Sequence, residues 1–188
     1  MKYTIIALLL AALLSSILAA DAGKSTQSFS CKPKGGVTID SLFRAIPPDR
    51  IGIEESQQKA KPSMLDRSNG YLSLSYQDRS GNSIEYSSAL FTSEKKDNRV
   101  FLIVARTMHY VAQLPYTEGF WIFEYSPGKC TDETDAILPW KEDGSLIKLP
   151  RIGTDLIRCE KIGDEKGLRE ECTTYSWDVR EAKFKKKK

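Results

Sequence analysis

The sequence predicts a mainly β fold with a minor α component, in which a single antiparallel meander or sandwich-like domain carries one short N-terminal helix and two disulfide bonds. Three observations predict it. A length of 188 residues suits one domain. Short segments with a strand-like pattern follow one another between polar turns, which is typical of antiparallel sheets. Four cysteines follow an N-terminal segment that is typical of exported proteins.

The first 22 residues have the pattern of a signal peptide. Lys2 supplies a positive charge, and the stretch that follows it to Ala20 is almost wholly apolar. The small residues at its end favour cleavage after Ala22, with cleavage after Ala20 as the alternative. The sequence therefore predicts a secreted or periplasmic protein with four parts: a signal peptide (1–22), an N-terminal extension (23–36), one β-rich domain (37–180) and a basic tail (181–188).

The domain begins with its one predicted helix. Leu42, Phe43 and Ile46 have the spacing of an apolar helix face within Thr38–Ile46, and the prolines that follow end the helix. The polar stretch Glu54–Ser63 predicts a loop.

A series of strands follows. Alternation of apolar and polar residues predicts the first two, and the continuous apolar run Val100–Ala105 predicts a central strand that is buried on both faces. Polar turns separate the strands, and Ser126–Lys129 has the proline and glycine of a type II turn. The predicted strands are Tyr71–Tyr76, Ser83–Phe91, Val100–Ala105, Phe120–Tyr125 and Leu146–Leu149, followed by a hairpin of Asp155–Ile162 and Leu168–Trp177.

The four cysteines predict two disulfide bonds, because an even number in an exported chain is typical of paired cysteines. If Ile162 lies opposite Arg169 in the hairpin, Cys159 lies opposite Cys172, close enough for a disulfide. The pair Cys31–Cys130 then follows by elimination. A zinc site is disfavoured, because no two cysteines lie closer than 13 positions.

Part of the chain resembles small exported bacterial proteins that have no assigned activity. The resemblance lies in Ala89–Phe91, Val100–Val104, Phe120–Lys129 and Thr134–Pro139, and it covers residues 70 to 140. It implies a β-rich exported domain and supplies no catalytic residue.

Positive charge is concentrated at the C terminus. The formal net charge is +3, from 28 basic and 25 acidic residues, but five lysines lie in the last six positions and without them 23 basic residues remain. A specific nucleic-acid reader carries its basic residues on a folded face, so the sequence disfavours that class. Lys185, Lys186 and Lys187 are candidates for weak contact with an anionic surface, and a solvated, frayed terminus is the alternative.

No familiar catalytic arrangement is evident. His109 is the only histidine, and no nucleophile-elbow motif accompanies it. Asp132, Glu133 and Asp135 suit either the acid and base of a glycan or peptidoglycan hydrolase or the first turn of a helix. We predict no catalytic residue, no cofactor and no metal ion.

The most unusual segment is Thr107–Gly119, which joins two hydrophobic strands with 13 residues. Hairpin loops usually have about two to five residues, and long loops rich in aromatic residues are typical of contact surfaces. The alternative is that part of the segment extends the strands. We therefore predict an exported, non-enzymatic binding or inhibitor-like module for an unknown protein or glycan ligand of the envelope or extracellular space. The predicted binding residues are Met108, His109, Tyr110 and Tyr116, together with the three lysines of the tail.

Overall fold

The computed structural model describes residues 27–94, 99–111, 113–140, 144–164 and 167–188, and within this part of the chain the fold is mainly β, as predicted. The predicted signal peptide lies outside the described residues. The helices are α1 (Ile39–Phe43), α2 (Glu55–Gln58) and α3 (Thr134–Ile137), and a 3-10 turn covers Pro48–Arg50. The strands are β1 (Ser28–Ser30), β2 (Met64–Asp66), β3 (Tyr71–Gln77), β4 (Ser83–Thr92), β5 (Val100–His109), β6 (Tyr116–Ser126), β7 (Lys129–Asp132), β8 (Leu146–Lys148), β9 (Asp155–Asp164), β10 (Gly167–Asp178) and β11 (Lys183–Lys186).

The larger sheet has seven antiparallel strands in the order β1-β7-β6-β5-β4-β3-β2. Its central strand β5 is buried on both faces, which confirms the prediction from the apolar run. Leu102 and Val104 belong to a core on one side of the sheet, and Phe101 and Ile103 belong to a core on the other side. This division follows from the alternation of side chains along a strand.

The smaller sheet has four antiparallel strands in the order β11-β10-β9-β8. Its central hairpin has the predicted register, with Ile162 opposite Arg169 and Cys159 opposite Cys172. Both predicted disulfides are confirmed: Cys159–Cys172 joins β9 to β10, and Cys31–Cys130 joins the residue after β1 to β7.

Helix α1 covers one face of the larger sheet. It ends at Phe43, three residues before the predicted end at Ile46, and Leu42, Phe43 and Ile46 are all fully buried. The helix begins with a capping box, in which the backbone N–H of Ser41 donates to Thr38 Oγ1 and the backbone N–H of Thr38 donates to Ser41 Oγ. The structure adds two helices to the single one predicted. One of them, α2, lies within the predicted loop and carries Gln58, whose buried side chain donates to the backbone oxygens of Phe43, the last residue of α1, and of Ile46.

The smaller sheet packs against the opposite face of the larger one through an aromatic cluster. The Trp177 ring lies 5.3 Å from both Phe91 and Phe101 and 5.1 Å from Phe184, measured between ring centroids. Trp177 Nε1 also donates a hydrogen bond to the backbone oxygen of Thr92 over 2.8 Å. The two sheets therefore share a packed core, with one polar group of the tryptophan satisfied at its edge.

Residues predicted to lie outside the domain contribute to both sheets. Ser28–Ser30, within the predicted extension, pairs with β7, and Lys183–Lys186, within the predicted tail, pairs with β10. The terminus is not frayed, because Phe184 is buried against Trp177 and holds this strand in place. The sequence did not predict this strand, because Phe184 is the only apolar residue in it and its neighbours are lysines.

The connection between β5 and β6 is shorter than the 13 residues of Thr107–Gly119. Strand β5 continues to His109 and β6 begins at Tyr116, so six residues separate the two strands in the sequence. A bulge accommodates the extra residue: Arg106 pairs with Gly119 and Thr107 with Thr117, which leaves Glu118 without an opposite residue. The alternative, in which part of the segment extends the strands, is the one that the structure has.

Candidate functional site

The predicted contact residues at the end of β5 separate onto two faces of the larger sheet. Met108 is buried in the core beneath α1 and is not available to a ligand. His109, the next residue, points to the opposite face and lines a cleft, with its side chain 41% exposed. Adjacent residues of a strand face opposite ways, so the two could not have formed one contact surface.

Tyr110 and Tyr116 lie together on the turn. Their rings stack with centroids 5.9 Å apart, and their hydroxyl oxygens are 3.4 Å apart. This hydroxyl contact raises the pKa of Tyr116 above its usual range. Lys161 of the smaller sheet lies over the Tyr116 ring and donates to the Leu114 carbonyl over 2.7 Å. The turn is thus attached to both sheets, while Val111 at its tip is 90% exposed.

The cleft lies where the smaller sheet stops covering the larger one. Along that face of β4 and β5 the alternate residues change from apolar (Phe91, Phe101, Ile103) to polar, and the cleft, of about 350 Å³, lies over the polar part. Its floor is formed by Tyr71, Glu85, Ser87, Thr107 and His109. Its walls include Pro115 from the turn, Leu146, Ile147, Lys148 and Leu149 at β8, and Glu170 from β10.

Glu85 is the central charged group of the floor. Its Oε1 accepts a hydrogen bond from Ser73 Oγ over 2.9 Å, and its Oε2 lies 3.6 Å from His109 Nε2. Burial, and then the nearby Glu85 charge, raise the pKa of the Tyr71 hydroxyl, with Arg151 opposing. The serine is bonded to the carboxylate and not to the imidazole. The arrangement therefore lacks the serine–histidine contact that activates a nucleophile.

Two hydroxyl groups of the floor have no hydrogen-bond partner among the described residues. Ser87 is 7% exposed and Thr107 is 5% exposed, and both line the cleft. The two hydroxyl oxygens open onto the cleft and bond to no described side chain, so they are free to bond to another molecule there. These two side chains are the strongest indication of a ligand site in the described part of the molecule.

The predicted acidic cluster lies at the start of α3. Asp132 Oδ1 accepts hydrogen bonds from the backbone N–H and the hydroxyl of Thr134, at 3.0 and 2.6 Å. Burial raises the pKa of Glu133, and the charges of Glu124 and Asp132 add to the effect. Asp135 is exposed in the first turn of the helix. Asp132 and Asp135 thus occupy the positions that acids favour at a helix start, and Glu133 is the member with perturbed chemistry.

Two of the three predicted tail lysines are engaged in ion pairs. Lys185 Nζ lies 2.7 Å from carboxylate oxygens of both Asp178 and Glu181, and Lys187 Nζ lies 2.6 Å from Asp155. The hydrogen bond from Lys185 lowers the pKa of Asp178 to about 2, and hydrogen bonds from the backbone N–H groups of Glu181 and Arg180 add to this effect. Lys186 is exposed on the same strand.

A grouping of possible metal ligands occurs in the smaller sheet, where Glu170 lies near the sulfur atoms of Cys159 and Cys172. Both sulfurs are joined in a disulfide, so they carry no thiolate for a metal ion. This grouping is not a metal site.

Sequence reasoning found His109 but missed the rest of the floor. The available signal was the run of polar residues at alternate positions of β4, from Ser83 through Glu85 to Ser87, where a buried face would have apolar residues. Such a run on its own indicates a solvated face, and the neighbouring strand and the second sheet are needed to show a cleft.

No helix in the described part of the chain is long and apolar enough to cross a membrane. Comparison of the chain with protein-family models, with curated proteins and with solved structures finds no match.

Proposed function

We propose that this chain is an exported, non-enzymatic binding module whose ligand occupies the cleft between the two sheets. The single observation that carries the proposal is an open cleft whose buried floor ends in two unpartnered hydroxyl groups, Ser87 and Thr107. The turn that the sequence predicts as a contact surface supplies Pro115 to the wall, and the strand before it supplies His109.

Export is supported by the N-terminal apolar segment and by the disulfides. Cys31–Cys130 and Cys159–Cys172 pair all four cysteines of the chain, and disulfides persist in oxidising compartments such as the periplasm or the extracellular space. Binding rather than catalysis is supported by the chemistry of the floor, because Glu85 accepts from Ser73 and no described serine or threonine hydroxyl is hydrogen-bonded to His109.

The test is a thermal-shift screen of the purified, disulfide-bonded chain against small molecules of every charge class: cationic, anionic, neutral polar and apolar. At least one class raises the melting temperature of the wild type. Thr107→Leu replaces a floor hydroxyl with a larger apolar group and abolishes the shift, whereas Thr92→Leu, at an exposed position of the same sheet outside the cleft, leaves it unchanged. A screen without any hit, or hits that Thr107→Leu does not affect, would refute the proposal.

A second candidate is a carboxylate-dependent hydrolase acting on glycan or peptidoglycan, and the raised pKa of Glu133 favours it. A carboxyl group whose pKa burial raises is a candidate for a general acid. The discriminating experiment compares Glu133→Gln and the double variant Asp132→Asn/Asp135→Asn with the wild type. Hydrolysis of a glycan substrate disappears in these variants if this candidate is correct, and binding at the cleft persists in them if the first proposal is correct.

Attachment to an anionic surface through the C-terminal lysines is favoured less by the geometry, because Lys185 and Lys187 pair with acidic groups of the same sheet. Its test cannot be deletion of residues 183–188, since the deletion also removes the buried Phe184. Replacing exposed lysines such as Lys186 with serine keeps the strand, and attachment to anionic vesicles should then weaken and should already be weak at high salt.

A further inference from the structure

We infer that the ligand of the cleft is a neutral polyhydroxylated molecule, that is, a saccharide unit. The inference rests on the proposed binding function and deepens it by assigning the chemical class of the ligand. It follows from the hydrogen-bond donors and acceptors of the floor and from the charge of the groups that line the cleft.

The floor offers groups that both donate and accept. Ser87 and Thr107 each present one O–H donor and two acceptor lone pairs; the residues are 7% and 5% exposed, and their hydroxyls open onto the cleft with no partner among the described residues. They lie on neighbouring strands of one face, since Thr107 is directly opposite Glu85 and Ser87 is two residues further along β4. A ligand that fills this space must therefore bring both acceptors and donors at adjacent positions.

The remaining polar groups of the cleft extend the same pattern. Glu85 presents a carboxylate oxygen that accepts only, and the imidazole of His109 lies 3.6 Å from it, beyond hydrogen-bond contact. Lys148, exposed at the wall, donates only. A hydroxyl group of a ligand can bond to any of these groups, because it donates to the carboxylate and accepts from the ammonium.

Other ligand classes leave a floor group unsatisfied. An apolar ligand would desolvate the Ser87 and Thr107 hydroxyls without replacing their bonds to water. An ammonium ligand has donors only, so the hydroxyl protons would keep no acceptor. An anionic ligand would meet Glu85, which is half-buried, with the second carboxylate of Glu170 on the wall and one lysine, Lys148, against them. A neutral polyol satisfies every group without a charge conflict.

The shape of the cleft agrees with this chemistry. Its volume, about 350 Å³, lies at the small end of ligand sites. Pro115, Leu146 and Ile147 give apolar surface on the walls above a polar floor. A sugar ring has the matching character, since its edges carry hydroxyl groups and its faces expose C–H bonds.

The test is to titrate the disulfide-bonded chain with neutral mono- and disaccharides, uronic acids, amino sugars, alkylamines and apolar rings of similar size. Binding is measured by NMR or calorimetry. We expect saturable binding of a neutral saccharide and weaker binding of its uronic acid. Ser87→Ala and Thr107→Val each remove one hydroxyl at nearly constant shape. Each should weaken binding by about 2- to 13-fold, the range for one net hydrogen bond, and the double variant should weaken it by the product.

The matched control is Thr92→Val, which makes the same chemical change on an exposed part of β4 outside the cleft and should leave affinity unchanged. NMR spectra of each variant establish that it is folded. If only a charged or apolar compound binds, and its binding depends on Thr107, the saccharide assignment is overturned while the binding function stands. If no class of compound binds, both the saccharide assignment and the proposed binding function are refuted. If a saccharide binds equally well to all variants, the assignment to this cleft is wrong.

Discussion

The contact between Gly119 and Trp121 gives a prediction whose sign depends on the background in which it is measured. A Cβ atom added at Gly119 would lie 2.2, 2.7 and 2.9 Å from three atoms of the Trp121 ring. Ordinary contacts of this kind are 3.4–4 Å, so the ring must move by more than an ångström to admit one methyl group. Trp121 packs against the core beneath α1 and is half-buried, which restricts that movement.

The expected cost of Gly119→Ala is therefore that of overpacking, about 1–3 kcal/mol in the free energy of unfolding. In a Trp121→Ala background the obstacle is absent. There the same change should stabilise the protein by about 0.5–1 kcal/mol, because alanine loses less backbone entropy than glycine within a strand. The coupling energy of the double-mutant cycle is then about 1.5–4 kcal/mol.

The assay is equilibrium unfolding in urea of the wild type, the two single variants and the double variant, at a common m-value. The wild-type and Trp121→Ala backgrounds must show opposite signs for the alanine substitution at Gly119. The same destabilisation in both backgrounds would show that the glycine is required by its backbone and not by the tryptophan, which would refute the reasoning.

Three further predictions concern stability. Met108→Ala should cost about 2–5 kcal/mol because Met108 is a core residue, whereas Val111→Ala at the exposed tip should change unfolding by less than about 0.5 kcal/mol; equal effects would contradict this placement. Phe184→Ala should cost about 3–5 kcal/mol in urea unfolding, and a negligible cost would mean that the C terminus is frayed after all. The Arg67 side chain lowers the pKa of Asp40 to about 2, so this carboxylate contributes stability that is complete above its unfolded pKa of about 3.9 and is lost as the pH falls through 2. The stability difference between wild type and Asp40→Asn should therefore shrink between about pH 4 and pH 2, and a constant difference would contradict it.

The elements that the sequence predicts well are those whose pattern is set by their own neighbours. Val100–Ala105 is apolar without a break because both faces of its strand are covered. The hairpin of the smaller sheet has a fixed register because one turn and the Cys159–Cys172 pair agree on it. In each case a local period and a local partner specify the structure.

The elements that were missed depend on contacts that their own composition does not show. Lys183–Lys186 has the composition of a solvated tail, and it forms a strand because Phe184 finds Trp177 and the edge of β10. The segment Thr107–Gly119 has the length of a contact loop, and most of it extends two strands because a bulge absorbs one residue. Phe184 also packs against Phe91, far away in the sequence, so tertiary packing overrides the local pattern.

The cleft exists because the smaller sheet covers only part of one face of the larger sheet. Alternate residues on one face of β4 run from Phe91 and Ala89, which the smaller sheet covers, to Ser87 and Glu85, which it does not. Had this half of the face been solvent only, Ser87 and Thr107 would be exposed like Thr92; instead the wall formed by β8 and Pro115 buries them without bonding to them. The two hydroxyls open onto the cleft and bond to no described residue, so alanine or valine at these positions removes no hydrogen bond within the described part of the protein. Ser87→Ala and Thr107→Val should therefore leave the free energy of unfolding unchanged or raise it while they weaken ligand binding, which is the combination that separates a binding residue from a structural one.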